Sequence, residues 1–193
     1  MRTVVVILLV FCGAALAQDA HQSPPPAQSF VPAISQTFYL DLDTAEGVYS
    51  QWRHDDLGSL SAMQATIRIL RVRKAAKWDP AFSLWLQKTE AGQMRNRVEL
   101  QLVAPHGKPP LVIRVVRFEG GKPVATESSN KTIGLNENPP VEIDWGTPHT
   151  ATIKIGDSET HKVSVPWSID SVGVSVSTGE MEVSPLVLGD VGN

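Results

Sequence analysis

Apolar side chains recur at every second position through most of residues 37–188, and this period constrains the fold more than any other feature of the chain. Phe38, Leu40 and Leu42 alternate with Tyr39, Asp41 and Asp43, and Val98, Leu100 and Leu102 alternate with Arg97, Glu99 and Gln101. Phe82, Leu84 and Leu86 share one parity while Trp85 takes the other. Extended chain sends successive side chains to opposite faces, so such stretches are strands with one face in a core. Residues 65–72 and 111–118 are β-branched-rich runs of the same kind, the second closed by Glu119-Gly120-Gly121-Lys122. In the last third, Val141, Ile143 and Trp145 oppose Glu142 and Asp144. Ala151, Ile153 and Ile155 oppose Thr152 and Lys154, and Val172, Val174 and Val176 oppose Gly173, Ser175 and Ser177. Gly156-Asp157 reads as a tight turn that returns residues 160–165 beside the preceding strand, and Thr178-Gly179 as a second turn. Residues 60–70 fit helix or strand, with Ile67, Ile69 and Val72 favouring strand in the later part. About ten or more strands without a long amphipathic helix predict an all-β fold, two antiparallel sheets packed as a sandwich. No fixed-period repeat suggests a propeller or solenoid.

The N-terminus has a separate purpose. Arg2, the apolar run at residues 4–10 and the small-x-small triplet Ala15-Leu16-Ala17 have the layout of a secretory signal peptide over residues 1–17. Cys12, the only cysteine, lies inside it with Phe11 rather than a small residue before it, which argues against lipoprotein acylation. The mature chain then holds no thiol, so disulfides, thiol catalysis and cysteine-ligated metals are excluded and the core alone supplies stability. Residues 18–35, with Pro24, Pro25, Pro26 and Pro32, read as an extended tether. Residues 36–193 are then one domain, and no transmembrane span is expected in the mature chain. Without Arg2 the 17 basic side chains become 16 against 20 acidic ones, a net charge of −4 that disfavours nucleic acid as a partner. These features suggest a periplasmic or secreted bacterial protein.

The order of strands and turns over residues 141–188 resembles the concanavalin A-like lectin/glucanase jelly roll. The resemblance is carried by Ala151-Thr-Ile-Lys-Ile-Gly-Asp-Ser158, His161-Lys-Val-Ser-Val165, Ser171-Val-Gly-Val-Ser-Val176 and Glu180-Met-Glu-Val-Ser-Pro-Leu-Val-Leu-Gly189. It implies a jelly-roll β-sandwich of a kind used by sugar-binding modules, glycoside hydrolases and modules with other partners, a choice that fold does not make. Glu142-Ile-Asp144 also resembles the Glu-Ile-Asp opening of the catalytic strand of laminarinase-like glucanases. That match implies a nucleophile at Glu142 and a supporting carboxylate at Asp144. The next same-face acid of that pattern falls at Gly146 or Thr147, neither of which supplies it.

Several residue groups carry candidate chemistry beside a plainer reading. Glu142 and Asp144 share a strand face and suit acid–base work on a glycosidic bond, or simply form a solvated face. Asp55 and Asp56 beside His54, and Asp41 with Asp43, offer oxygens to a calcium ion, the one cofactor considered. The five histidines are too scattered for a zinc spacing. Tyr39, Trp52 and Trp85 are candidate sugar platforms, Trp52 on a loop edge and Trp85 on a strand face away from the core, with Arg97 as a polar partner. Ser171-x-Gly173-x-Ser175 is an alternating strand, unlike a nucleophile elbow. The expectation is a secreted carbohydrate-recognition domain, leaning away from an enzyme. The alternatives are a glycoside hydrolase using Glu142 and Asp144, or a module that binds another envelope protein.

Overall fold

The computed structural model describes residues 35–74, 77–90, 93–157 and 159–190. The expected signal peptide and nearly all of the expected tether lie outside these residues. In chain order the strands are β1 (Ser35–Asp43), β2 (Tyr49–Asp55), β3 (Ala62–Val72), β4 (Ala81–Glu90), β5 (Gln93–Val103) and β6 (Leu111–Glu119). They continue with β7 (Lys122–Ile133), β8 (Pro140–Asp144), β9 (Thr150–Ile155), β10 (Glu159–Ser164), β11 (Ser171–Ser177) and β12 (Gly179–Gly189). Among the described residues the helical content is one 3-10 turn at Pro105–Gly107.

The strands form two six-stranded sheets, the first ordered β1-β12-β3-β8-β9-β10 and the second β2-β11-β4-β5-β6-β7. Every pairing is antiparallel. The fold is the all-β, concanavalin A-like jelly-roll sandwich. Residues 60–70 resolve as strand from Ala62 onward, because Met63, Ala65, Ile67 and Ile69 alternate into the core.

The two inner faces meet in one apolar core. Met63, Ile67, Ile69, Ile143, Ile153, Met181, Val183 and Leu188 come from the first sheet, and Phe82, Leu84, Leu86, Leu100, Leu102, Val172 and Val174 from the second. Burying each such side chain is worth about 1.5–3 kcal/mol. The two long sides of the sandwich are closed differently. At the β1–β2 side, Phe38 packs on Trp52 with ring centroids 4.8 Å apart, and Trp52 stacks on His54. At the β7–β10 side, the His161 ring nitrogens lie 3.2 Å from Glu127 and 3.1 Å from Glu159, and Ser129 donates to Glu159 at 2.7 Å.

Three features depart from the sequence expectation. Strand β7 had no apolar period to announce it, because it is an edge strand exposed along nearly its whole length. The turn at Thr178-Gly179 does not close a hairpin: it carries the chain from β11 in the second sheet to β12 in the first. The short apolar run at residues 186–188, bounded by Gly189 in the sequence, continues β12 beyond an irregularity between Val183 and Leu186.

The crossing at Gly179 is built around close approach. A Cβ there would sit 2.6 Å from the Arg71 carbonyl oxygen and 2.6 Å from Phe82, so only glycine fits. The Thr44 hydroxyl donates to the Gly179 carbonyl at 3.1 Å and accepts from its N–H at 2.9 Å. Arg73 donates to the Asp43 carboxylate and, at 3.2 Å, to the Gly179 carbonyl.

Two outcomes follow. Leu100→Ala opens a cavity in a fully buried site and should lower unfolding free energy by about 2–5 kcal/mol, read by chemical denaturation. The hydrogen bond from Arg73 holds the Asp43 carboxyl below its ordinary value of 3.8. The stability this pair contributes is therefore complete above that ordinary value and is lost as pH falls through the lowered one. Because the pair is exposed the effect is small. Asp43→Asn should reduce the melting temperature slightly at neutral pH, and the difference from wild type should vanish in strong acid.

Candidate functional site

The face of the second sheet turned away from the core carries the densest polar array near an aromatic ring. Strand register sets its rows. Arg53, Gly173, Trp85, Glu99 and Val116 stand side by side across β2, β11, β4, β5 and β6. The next row on one side is Asp55, Ser171, Gln87, Arg97 and Phe118, and on the other Gln51, Ser175, Ser83, Gln101 and Arg114. β11 contributes only Ser171, Gly173, Ser175 and Ser177 to this face, so its middle is low.

Trp85 fills that low ground. A Cβ on Gly173 would lie 2.2 and 2.6 Å from two atoms of the Trp85 ring, so the indole lies over the bare β11 backbone. The Arg97 guanidinium sits over the same ring, 4.1 Å from its centroid, an attraction between a cation and the negative ring face. Arg97 also pairs with Glu99 at 2.9 Å, and Glu99 accepts from Gln101 at 2.5 Å. Trp85 is 1% exposed, and its Nε1 has no hydrogen-bond partner among the described residues.

Around this stack the polar groups are held by one another. Arg53 bonds Asp55 at 2.5 Å and the Thr89 hydroxyl at 2.8 Å, while Gln87 reaches the same hydroxyl at 2.8 Å. The Thr89 N–H donates to both oxygens of Asp170 at 3.0 Å, and the Ser171 hydroxyl donates to Asp170 at 3.1 Å. Charged donors and acceptors fixed in this way keep their direction without further ordering on binding.

The candidates named from sequence divide between the sheets. Trp85 and Arg97 come together. Trp52 belongs to strand β2 rather than a loop edge, and its ring points to the opposite, inner side against Phe38. Tyr39 is 73% exposed on β1 of the first sheet. Glu142 and Asp144 lie on the outer face of that first sheet, so the sandwich separates them from Trp85. Glu142 pairs with Lys154 at 3.0 Å, and Asp144 accepts from the Gly146 N–H at 2.8 Å. Asp55 ends strand β2 facing Arg53, and Asp56 follows in a left-handed conformation with φ of 60°. Asp43 is engaged by Arg73. Among the described residues no three His, Asp or Glu side chains converge as metal ligands.

Glu99, Gln101, Gln87, Thr89, Asp170 and Arg53 were not singled out from sequence. The alternation that puts Glu99 and Gln101 on the face of Arg97 was legible. The pairing of β4 with both β5 and β11, which brings them to Trp85, was not.

No protein-family model and no curated protein sequence matches the chain. Solved structures with the same fold include the carbohydrate-binding module CBM66 from Bacillus subtilis, at 14% identity and a TM-score of 0.51, covering 80% of this chain and 95% of that one. A beta-glucanase from Bacillus licheniformis aligns at 7% identity and a TM-score of 0.53, covering 79% and 78%. The carbohydrate recognition domain of Emp47p aligns at 14% identity and a TM-score of 0.53, covering 86% and 92%. At these identities the likeness defines the fold. No helix among the described residues is long and apolar enough to cross a membrane.

The Trp85 stack predicts a specific sensitivity. Gly173→Ala must displace the indole or the Trp52 carbonyl, which would lie 2.4 Å from the new methyl. It should cost about 1–3 kcal/mol by denaturation, with a reduced near-ultraviolet circular dichroism signal from tryptophan.

Proposed function

We propose that this protein is a secreted carbohydrate-recognition domain whose binding face is the outer side of the second sheet, around Trp85. The observation that carries this reading is the array of fixed donors and acceptors set around a ring anchored in the sheet. Sugar hydroxyls require oriented donors and acceptors, and sugar C–H faces pack on flat groups. Arg53, Gln51 and Gln101 supply the first, while Trp85 and Arg97, 1% and 3% exposed, are the packed base beneath them and not a contact surface. The fold shared with a carbohydrate-binding module and a carbohydrate recognition domain supports the same reading, as does the export signal expected at residues 1–17. Cell-envelope or extracellular polysaccharide is the corresponding partner class, in the periplasm or outside the cell.

The test is an array of neutral and acidic glycans followed by calorimetry on whatever is retained. Saturable binding is expected, weakened about tenfold or more by Gln101→Ala, whose side chain is peripheral to the stack. Glu142→Gln, on the opposite sheet, should leave the affinity unchanged. No saturable binding to any glycan, or loss of binding with Glu142→Gln alone, contradicts the assignment.

A further inference from the structure

A second concave site lies at one end of the sandwich, where the β8–β9 and β10–β11 connections meet. It is a groove of about 260 Å³ lined by residues 145, 147–150 and 165–169. Among these residues there is no lysine, arginine, aspartate or glutamate. Two tryptophans, Trp145 and Trp167, supply ring surface, and Thr147, Thr150, Ser168 and His149 supply polar groups.

The groove is held in shape. Trp145 donates through its backbone N–H to the Ser61 carbonyl at 2.8 Å and through its indole to the Leu60 carbonyl at 3.1 Å. The Val165 N–H donates to the His149 carbonyl at 2.8 Å, tying one connection to the other. His149 has φ of 60°, the left-handed region that glycine enters freely. Keeping a side-chain-bearing residue there costs about 1–2 kcal/mol, and His149 is among the residues that line the groove. The Trp167 indole N–H is buried with no acceptor among the described residues. An unmade bond of that kind is costly; the atom is closed off from the groove surface, so what Trp167 offers a ligand is ring surface and not its N–H.

From this geometry we propose a second binding site that takes a single neutral sugar residue, free or at the end of a chain. Flat rings beside hydroxyl and imidazole groups match the C–H faces and hydroxyls of a pyranose or furanose. The absence of lysine and arginine from the lining leaves an acidic sugar without a permanent counter-ion. The volume lies just under the usual range for drug-sized ligands, about 300–1,000 Å³, and suits one ring better than an oligomer. The site does not rest on the reading of the Trp85 face.

The experiment follows the five tryptophan indole N–H resonances of the whole chain by NMR. The probes are methyl glucoside, methyl galactoside, methyl mannoside, N-acetylglucosamine, fructose and, as a charged control, glucuronate. With at least one neutral probe, Trp145 and Trp167 should shift saturably, and these shifts should persist in Gln101→Ala. Trp167→Ala should weaken the affinity about tenfold or more. Thr150→Val, which removes one hydroxyl and leaves both rings, should weaken it by a smaller factor. Absence of a saturable shift at Trp145 and Trp167 with every neutral probe overturns the proposal. So does a response to glucuronate alone, or shifts that disappear in Gln101→Ala. Failure of the sheet face leaves all of these outcomes unaffected.

Discussion

Strands β4 and β11 are buried on both of their faces, and the rest of the molecule is arranged around that pair. On the inner side Phe82, Leu84, Leu86, Val172, Val174 and Val176 join the core between the sheets. On the outer side Trp85 lies across Gly173, with Arg97 over its ring. The inner burial supplies the hydrophobic stabilisation of a fold whose described residues hold no cysteine to cross-link. The outer burial turns an otherwise polar sheet face into a shaped surface, because glycine at 173 is what lets the indole lie down. One residue without a side chain therefore links the sequence pattern, the packing and the site.

The sandwich was legible because burying one strand face against another sheet demands an alternating pattern, and the inner strands carry it. Phe82, Leu84 and Leu86 were assigned to the core and Trp85 to the other face from parity alone. The two edge strands of the second sheet escaped that logic. β7 is wet on both faces, and β2 mixes half-buried Trp52 and His54 with exposed polar residues, so neither displays a clean period. Trp52 looked like a loop residue for the same reason. The candidate site was only half legible. Parity placed Arg97 with Glu99 and Gln101, but which strand lies beside which depends on long-range pairing, and the neighbourhood of Gly173 and Trp85 is a product of it.

Glu142 and Asp144 show how a local pattern misses tertiary placement. Alternation correctly puts both carboxylates on one strand face. That face, however, belongs to the sheet opposite Trp85, where Lys154 and Gln64 engage Glu142. The two acids and Trp85 are thus on two separate surfaces. A binding role built on the second sheet stands without them.

The most direct measurement of the central claim is amide chemical-shift mapping of the full chain with a glycan selected from the array. The account predicts perturbations centred on the amides of Trp85, Gln87, Arg97, Glu99 and Gln101, with those of Glu142, Asp144 and Lys154 unmoved. Perturbations centred on the latter three, across the sandwich, would contradict it.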